Sequence, residues 1–456
     1  MRVNPEIFKA YDIRGIYGRD FDDRTAYLLG RAFVELRKND PDYSSTKALK
    51  IAVGRDMRFS SPALKDNLIR GLVEAGADVV DLGLVATPTF YFAVGKYNYD
   101  GGIIVSASHN PKEWNGFKIV RAQGVPVSGE TGINFLKEKI INENFSPAAR
   151  PGVITKNSEA LNAAINYALS FSDLEKIKKL NIVIDPANSM GLTYLRPLFE
   201  KLPCKASYIN SELDGSFPAH EADPLKEENL TQLQEEVLKQ KADLGIATDG
   251  DGDRVFFVDN AGETIPPAII RGLLAKLFLK DKPGAKIGYD IRPGKITTDL
   301  IIANGGIPIA TRVGHSLIKE QMLKEDIYFA GESSGHFFLQ GAAGCFEYPE
   351  IMILKLLTEF SAAPTDVTTY LKPYKKYYHS GEINRAVADK DLVFQRITEK
   401  YAGGKISRLD GVTVEFPDFW FNVRGSNTEP KIRLNLEAVN EKTMAEKKDE
   451  VLELIK

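Results

Sequence analysis

Residues 101–111 read GGIIVSASHNP, a short apolar run that breaks into two serines, a histidine, an asparagine and a proline. An apolar run bounded by Gly and Pro has the character of a buried strand. Its polar end is out of place unless the strand delivers that end to a site. The stretch is one of a set, because KIAVGRD from 50, NIVIDPA from 181 and KIGYDI from 286 also stop at a turn and give way to helical periodicity. Strand, turn, helix and strand in succession predict a parallel sheet covered by helices on both faces. In the first copy Ser60 or Ser61 is expected to cap a helix carrying Leu64, Leu68 and Leu72, before the strand ADVVDLG. The second copy has its helix in GLTYLRPLFEKL and the third in KITTDLIIANGG.

Each copy then holds a second apolar run with a polar end: GGIIV into SASHN, LGIA into TDGDGDR, and YFA into GESSGH. Ligands of open α/β sheets bind beyond the carboxyl ends of the strands, so these three loops are where chemistry is expected. The copies lie roughly 100 to 130 residues apart, too far for a solenoid and suited to successive domains. From about residue 370 the pattern changes. RAVADKDLVFQRITEKYAGG has helical periodicity, GVTVEFPDFWFNVR and KIRLNLEAV alternate as strands, and EKTMAEKKDEVLELIK closes as an amphipathic helix. The expected division is 1–150, 151–256, 257–368 and 369–456: three related α/β domains with mixed sheets, then a smaller α+β domain.

Composition sets the outer limits. A chain of 456 residues calls for several cores. Its 59 Lys and Arg against 62 Asp and Glu leave a formal charge of −3 with the signs interspersed, which argues against a nucleic-acid or membrane surface. Cys204 and Cys345 stand far apart, outside any metal or redox spacing, and are expected to be buried, inert thiols of a reducing compartment. The opening MRVNPEIFKAYDIRG lacks the apolar core of a signal peptide, and no window has the length of a membrane span. A cytoplasmic protein is expected, monomer or homodimer left open.

Two loops carry further chemistry. In TDGDGDR, Asp249, Asp251 and Asp253 alternate with Gly250 and Gly252. An extended backbone would turn the three carboxylates to one face, where they repel unless a cation joins them. An EF-hand is excluded, since its sixth position, which needs Gly, is Arg254 and its twelfth, which needs Glu, is Asn260. Three acidic ligands without a dedicated cage suit Mg²⁺, which completes its shell with water and a phosphate oxygen. Near the C-terminus, RGSNTEPKIR (424–433) offers Arg424, Ser426, Asn427 and Thr428 in one tight turn, with Arg433 following. Such a turn can grip a phosphate, although Ser-Asn-Thr is equally good turn chemistry without a ligand. A serine, a cation site and an anion clamp together point to phosphoryl transfer, which depends on positioning and charge neutralisation. No GxSxG elbow supports a serine hydrolase.

The set AYDIRG (10–15), SASHNPKEWNGFK (106–118), DGDGDR (249–254), GESSGH (331–336) and RGSNTEP (424–430) closely resembles the α-D-phosphohexomutase family, in particular its phosphomannomutase/phosphoglucomutase branch. The resemblance spans the chain in order. It implies a heart-shaped, four-domain enzyme around a central cleft, whose last domain has a TATA-binding-protein-like fold. By this resemblance Ser108, rather than Ser106, is the serine that carries a phosphoryl group. Asp249, Asp251 and Asp253 are then the Mg²⁺ ligands, with the phosphoserine as a further ligand. The implied reaction interconverts hexose 1-phosphate and 6-phosphate through a hexose 1,6-bisphosphate that turns around and returns its other phosphate to Ser108. Arg424, Ser426, Asn427, Thr428 and Arg433 are matched to the non-reacting phosphate. Glu332 and Ser334 match groups that bind sugar hydroxyls, His315 a residue near phosphate, and Arg292 a basic sugar or phosphate contact with Lys295 as its rival. Proton transfer falls to Arg14, Lys118, His109 or His336, with Arg254 neutralising charge. Arg is a poor base, so Arg14 is better suited to a phosphate contact.

Two departures from the family pattern stand out. Trp114 replaces the usual Tyr, and QGAAGCFEYPEIM (340–352) replaces an Asp-rich, Gly-containing turn. A phosphoglucosamine mutase and a phosphosugar-binding regulator without turnover are the alternative readings.

Overall fold

The run Gly101–Val105 is a fully buried strand inside a six-stranded sheet. The sheet order is Ile13–Ile16, Trp114–Arg121, Gly101–Val105, Lys50–Arg55, Asp78–Leu84 and Ile154–Lys156. Gly101–Val105 runs parallel to Lys50–Arg55 on one side and antiparallel to Trp114–Arg121 on the other. The polar stretch after Val105 is therefore the turn at which a parallel sheet reverses direction. Ile154–Lys156, past the expected boundary at 150, pairs with Asp78–Leu84 in this same sheet.

The structure, a computed structural model, describes residues 3–44, 47–425 and 431–455. It divides into two units: Met1–Ile265 with Gly335–Thr368, and Pro266–Ser334 with Thr369–Lys456. In the first unit a second sheet repeats the arrangement of the first. Leu244–Thr248 is parallel to Asn181–Asp185 and antiparallel to Val255–Asp259, and Lys205–Tyr208 forms the far edge. Both central strands are buried throughout and apolar but for the terminal Thr248, as a strand covered on two faces requires. The first sheet packs through Val53, Ile103, Val105 and Phe117 on helix residues such as Leu29, Phe33 and Leu68. The helix Ser61–Glu74 starts where expected, but no serine side chain caps it. Asn115 Nδ2 donates to Ser60 Oγ at 2.7 Å and Ser61 Oγ donates to Asp56, so these hydroxyls tie the helix start to the sheet.

In the second unit Lys286–Asp290 lies parallel to both Ile307–Thr311 and Ile327–Gly331. The C-terminal segment is a five-stranded antiparallel sheet in the order Tyr378–Ala386, Lys431–Ala438, Phe419–Gly425, Val412–Glu415, Lys405–Ser407. Helices Lys390–Lys400 and Glu441–Leu454 contribute Val393, Ile397 and Val451 to its core. The expected helical segment is shorter than its periodicity suggests, because Arg385 and Ala386 belong to the first strand. Cys345 is buried, whereas Cys204 is only partly so, contrary to the expectation of two buried thiols. No helix among the described residues is long and apolar enough to cross a membrane.

Candidate active site

The two polar loops of the first unit meet. Ser108 sits in the left-handed region at φ 51°, which a non-glycine residue adopts only when its surroundings impose it. Arg58 braces the loop from within. Its buried guanidinium donates to the carbonyls of Ser108 (2.8 Å), Asn110 (2.5 Å), Pro111 (2.7 Å) and Trp114 (3.0 Å), with Asp56 at 3.2 Å as its counter-ion. Ser106 is structural, since its hydroxyl accepts the Ser108 N–H at 3.0 Å. The Ser108 hydroxyl instead donates to Asp249 Oδ2 at 2.8 Å and stands 3.3 Å from His109 Nδ1.

The acidic loop does not converge by strand alternation as expected. It is a turn beyond Thr248, in which Gly252 takes φ 75° and its N–H donates to Asp249 O at 3.1 Å. A Cβ on Gly250 would stand 2.2 Å from the Ser108 carbonyl oxygen, so only glycine lets the two loops approach this closely. The turn still groups the carboxylates: ligand oxygens of Asp249, Asp251 and Asp253 lie within 4.8 Å of one another, all buried. Thr87 holds the middle one, with its hydroxyl 2.6 Å from Asp251 Oδ2 and its N–H 3.0 Å from Asp251 O. Asp251 Oδ1 is buried and accepts no hydrogen bond among the described residues. An orphaned oxygen within three converging carboxylates fits a divalent cation.

The electrostatics have the same origin. Burial and the neighbouring Asp253 and Asp251 raise the pKa of Asp249, so ionising it calls for added positive charge nearby. Lys118 supplies part of that charge, its ammonium 2.5 Å from both Asp251 and Asp253. Burial alone would lower the pKa of Lys118, but the two carboxylates hold it well above the ordinary value. His109 is driven the other way by burial and the nearby Arg254 and Arg14, and is neutral. Arg14 donates to Asn110 Oδ1 at 3.0 Å and pairs with Asp12 at 2.6 Å. Arg254 caps the acidic loop, its N–H on Asp249 Oδ1 at 3.2 Å and its Nε 3.4 Å from His336 Nε2. His336 stands 3.2 Å from Asp253 and stacks on Phe338.

The first unit thus brings together Ser108, His109, Lys118, Arg14, Asp249, Asp251, Asp253, Arg254 and His336. The sequence did not single out Arg58, Thr87 or Glu347. The unusual segment 340–352 completes a hairpin, Phe337–Gly341 with Gly344–Glu347, and opens the helix Pro349–Ala362; Glu347 at the hairpin's end brings a buried carboxylate within 4.8 Å of the ligand atoms of His336 and Asp253. Arg58 lies in GRDMRFS, where one of two arginines beside a turn gives no hint of a partner 50 residues away.

The second unit holds the remaining candidates among the described residues. Glu332 Oε1 accepts the Gly314 N–H at 3.1 Å, at the start of the His315–Glu325 helix, and Glu332 Oε2 accepts the Ser334 hydroxyl at 2.7 Å. Arg292 joins them 3.3 Å from Glu332, steered by Asp290 at 2.5 Å. Lys295 is turned onto the Trp420 ring, 5.4 Å from its centroid. Arg424 and Arg433 are direct cross-strand partners. Ser426, Asn427 and Thr428 lie outside the described residues.

A buried serine held against an acidic triad, with a lysine and two histidines beside it and each loop ending an α/β strand, is the equipment of phosphoryl transfer. Comparison with known proteins specifies which kind. Four family models match in succession: phosphoglucomutase/phosphomannomutase alpha/beta/alpha domain I over residues 5–146, domain II over 154–262, domain III over 267–349, and the C-terminal domain over 382–454. A phosphomannomutase of Methanocaldococcus jannaschii is 39% identical over 450 residues, covering 98% of this chain and 97% of that protein. A phosphomannomutase/phosphoglucomutase of Pseudomonas aeruginosa is 36% identical, with 96% and 93% covered. The crystal structure of a phosphoglucomutase/phosphomannomutase family protein from Burkholderia thailandensis superimposes with a TM-score of 0.87 at 30% identity, over 99% of this chain and 97% of that one. The chain belongs to the phosphoglucomutase/phosphomannomutase family of phosphotransferase mutases.

Proposed function

We propose that the protein interconverts the 1- and 6-phosphates of mannose or glucose by passing a phosphoryl group between Ser108 and the sugar. The observation that carries this is the Ser108 hydroxyl 2.8 Å from Asp249, inside a buried cluster that also holds Lys118 and His336. A phosphoserine at 108 donates its phosphoryl group to a sugar hydroxyl: the serine oxygen–phosphorus bond breaks, the sugar oxygen–phosphorus bond forms, and the hydroxyl proton passes by way of a base to the departing serine oxygen. The product is a hexose 1,6-bisphosphate. Its reversal and the reverse transfer, with a proton returned, restore the phosphoserine and leave the isomer.

Asp249, Asp251 and Asp253 would hold a Mg²⁺ ion, which neutralises charge on the transferring group when bound. Arg254 adds a fixed positive charge beside Asp249. Lys118 and His336 are the proton carriers, and of these Lys118 needs its carboxylate partners engaged elsewhere before its pKa falls into a useful range. Neutral His109 hydrogen-bonds the serine oxygen, and Arg14, always charged, contacts phosphate. Glu332, Ser334, Arg292 and His315 bind the sugar. The clamp of Arg424, Ser426, Asn427, Thr428 and Arg433 takes whichever phosphate is not reacting. The site of action is the cytoplasm.

The mannose/glucose reading is favoured over glucosamine. The curated relatives at 34–39% identity carry phosphomannomutase or phosphoglucomutase names, whereas structures titled N-acetylglucosamine-phosphate mutase share 13% identity and speak for the fold alone. Phosphorus NMR decides the matter. Purified protein with Mg²⁺, a trace of hexose 1,6-bisphosphate and mannose, glucose or glucosamine 1-phosphate should yield the 6-phosphate of the first two. No conversion of any sugar overturns the proposal. Intact mass should show a phosphate that Ser108→Ala lacks, and full activity in that variant would displace Ser108 as the nucleophile.

A further inference from the structure

The arginine pair proposed to grip the distal phosphate already holds an anion of the protein's own. Arg424 and Arg433 face each other across adjacent antiparallel strands, an arrangement that repels unless countered. The neighbouring strand counters it. A register shift between His379 and Glu382, with Gly381 at φ 71°, turns Glu382 onto the pair. Glu382 Oε2 lies 3.3 Å from Arg424 Nη2 and 3.2 Å from Asn435 Nδ2, and Oε1 lies 3.1 Å from Arg433 Nη1. Burial opposes this carboxylate, yet Arg424, Asn435 and Arg433 together hold its pKa below the ordinary value, so it is charged.

One carboxylate does not saturate two guanidinium groups. Arg424 Nε and Arg433 Nε are buried and have no hydrogen-bond partner among the described residues. Arg424 is only 7% exposed, and an unpartnered N–H on so buried a side chain is costly. The pair is thus held in place by one internal anion while keeping donors for another. Resting on the reading above, in which the clamp must release one phosphate before accepting the other, we infer that Glu382 is a built-in competitor that weakens phosphate binding at Arg424 and Arg433 and so allows the intermediate to turn around. A carboxylate that merely oriented the arginines would have the opposite effect: its loss would weaken phosphate binding.

The two differ in sign, and calorimetric titration with inorganic phosphate separates them. Glu382→Gln keeps the size and hydrogen-bonding reach of the side chain and removes the charge. It should bind inorganic phosphate about tenfold tighter than the wild type, since like-charge contact is removed. Its KM for hexose 1-phosphate and its kcat should both fall, because release becomes slower. Glu382→Asp, too short to reach both arginines, should show a smaller gain, and circular dichroism verifies that both variants fold. Unchanged or weaker phosphate binding in folded Glu382→Gln overturns the inference. Arg424→Ala provides the reference: if it loses phosphate binding while Glu382→Gln gains none, only the role of Glu382 is wrong. If Arg424→Ala binds phosphate as the wild type does, the clamp itself has been misassigned.

Discussion

Ser108 has a left-handed backbone because the loop around it is overdetermined, and that overdetermination makes single substitutions informative. Gly250 is the sharpest case. Alanine there would put its Cβ 2.2 Å from the Ser108 carbonyl, against backbone that Arg58 also holds, so the loops must part. A displacement of about 1 Å at reacting groups costs on the order of 100-fold in rate. Gly250→Ala should therefore lose about that much kcat in the NMR or a coupled assay. Gly403→Ala, where a Cβ meets nothing within 4 Å, should leave activity unchanged. Arg58 makes a second test. Arg58→Lys keeps the charge beside Asp56, but an ammonium lacks the planar fork that reaches four carbonyls. Turnover should fall about tenfold or more while the sugar phosphate KM changes little, because the defect lies in the nucleophile's loop. An equal loss expressed wholly in KM would contradict this role.

At the level of elements, what was legible followed from burial and what was not followed from distance along the chain. Gly101–Val105, Leu244–Thr248 and Ile327–Gly331 announced themselves because strands covered on both faces must be apolar, and a polar end then stands out. The reversal of the sheet after each of the first two strands left no such signature. Ser60 and Ser61 marked a helix start correctly, yet their hydroxyls went to Asn115 and Asp56, partners that a local reading cannot see. The contact of Thr87 with Asp251 spans 164 residues and was invisible for the same reason. His220 belongs here too. It joins Asp185 at 3.0 Å and anchors a segment whose Ala222 carbonyl accepts the Gly250 N–H at 3.2 Å. Burial would lower the pKa of His220, but Asp185 raises it above 6.5. A raised folded-state pKa means the ion pair stabilises fully below about pH 6.5, the unfolded value, and loses that contribution as pH rises through the folded one. The urea midpoint of the wild type should therefore exceed that of His220→Asn most at pH 6, and the gap should narrow steadily towards pH 9. A gap that widened with pH would mean that the pair acts through neutral His220.

Across the described residues of the whole molecule, every candidate cation ligand lies in the first unit, and the described candidates for the sugar and for the non-reacting phosphate lie in the second. That distribution along the chain tells which peptides a cation should protect. A ligand that binds only the folded state stabilises by mass action, about 2.7 kcal/mol at a hundredfold excess over its Kd. Here it also offsets the burial and the neighbouring carboxylates that raise the pKa of Asp249. Hydrogen exchange of the chelator-stripped protein with and without Mg²⁺ should show slower exchange in peptides covering residues 104–118 and 246–256, the two loops the carboxylates join. Peptides covering Val412–Glu415 and Phe419–Gly425 should exchange alike in both conditions, since neither strand contributes a candidate cation ligand. Asp251→Asn removes one charge from the triad but keeps the side chain's size and its hydrogen bond to Thr87, so it should abolish the Mg²⁺ effect without unfolding the loop. Protection that persisted in this variant, or that spread equally over both units, would mean that the cation acts elsewhere and that the buried oxygen of Asp251 serves another purpose.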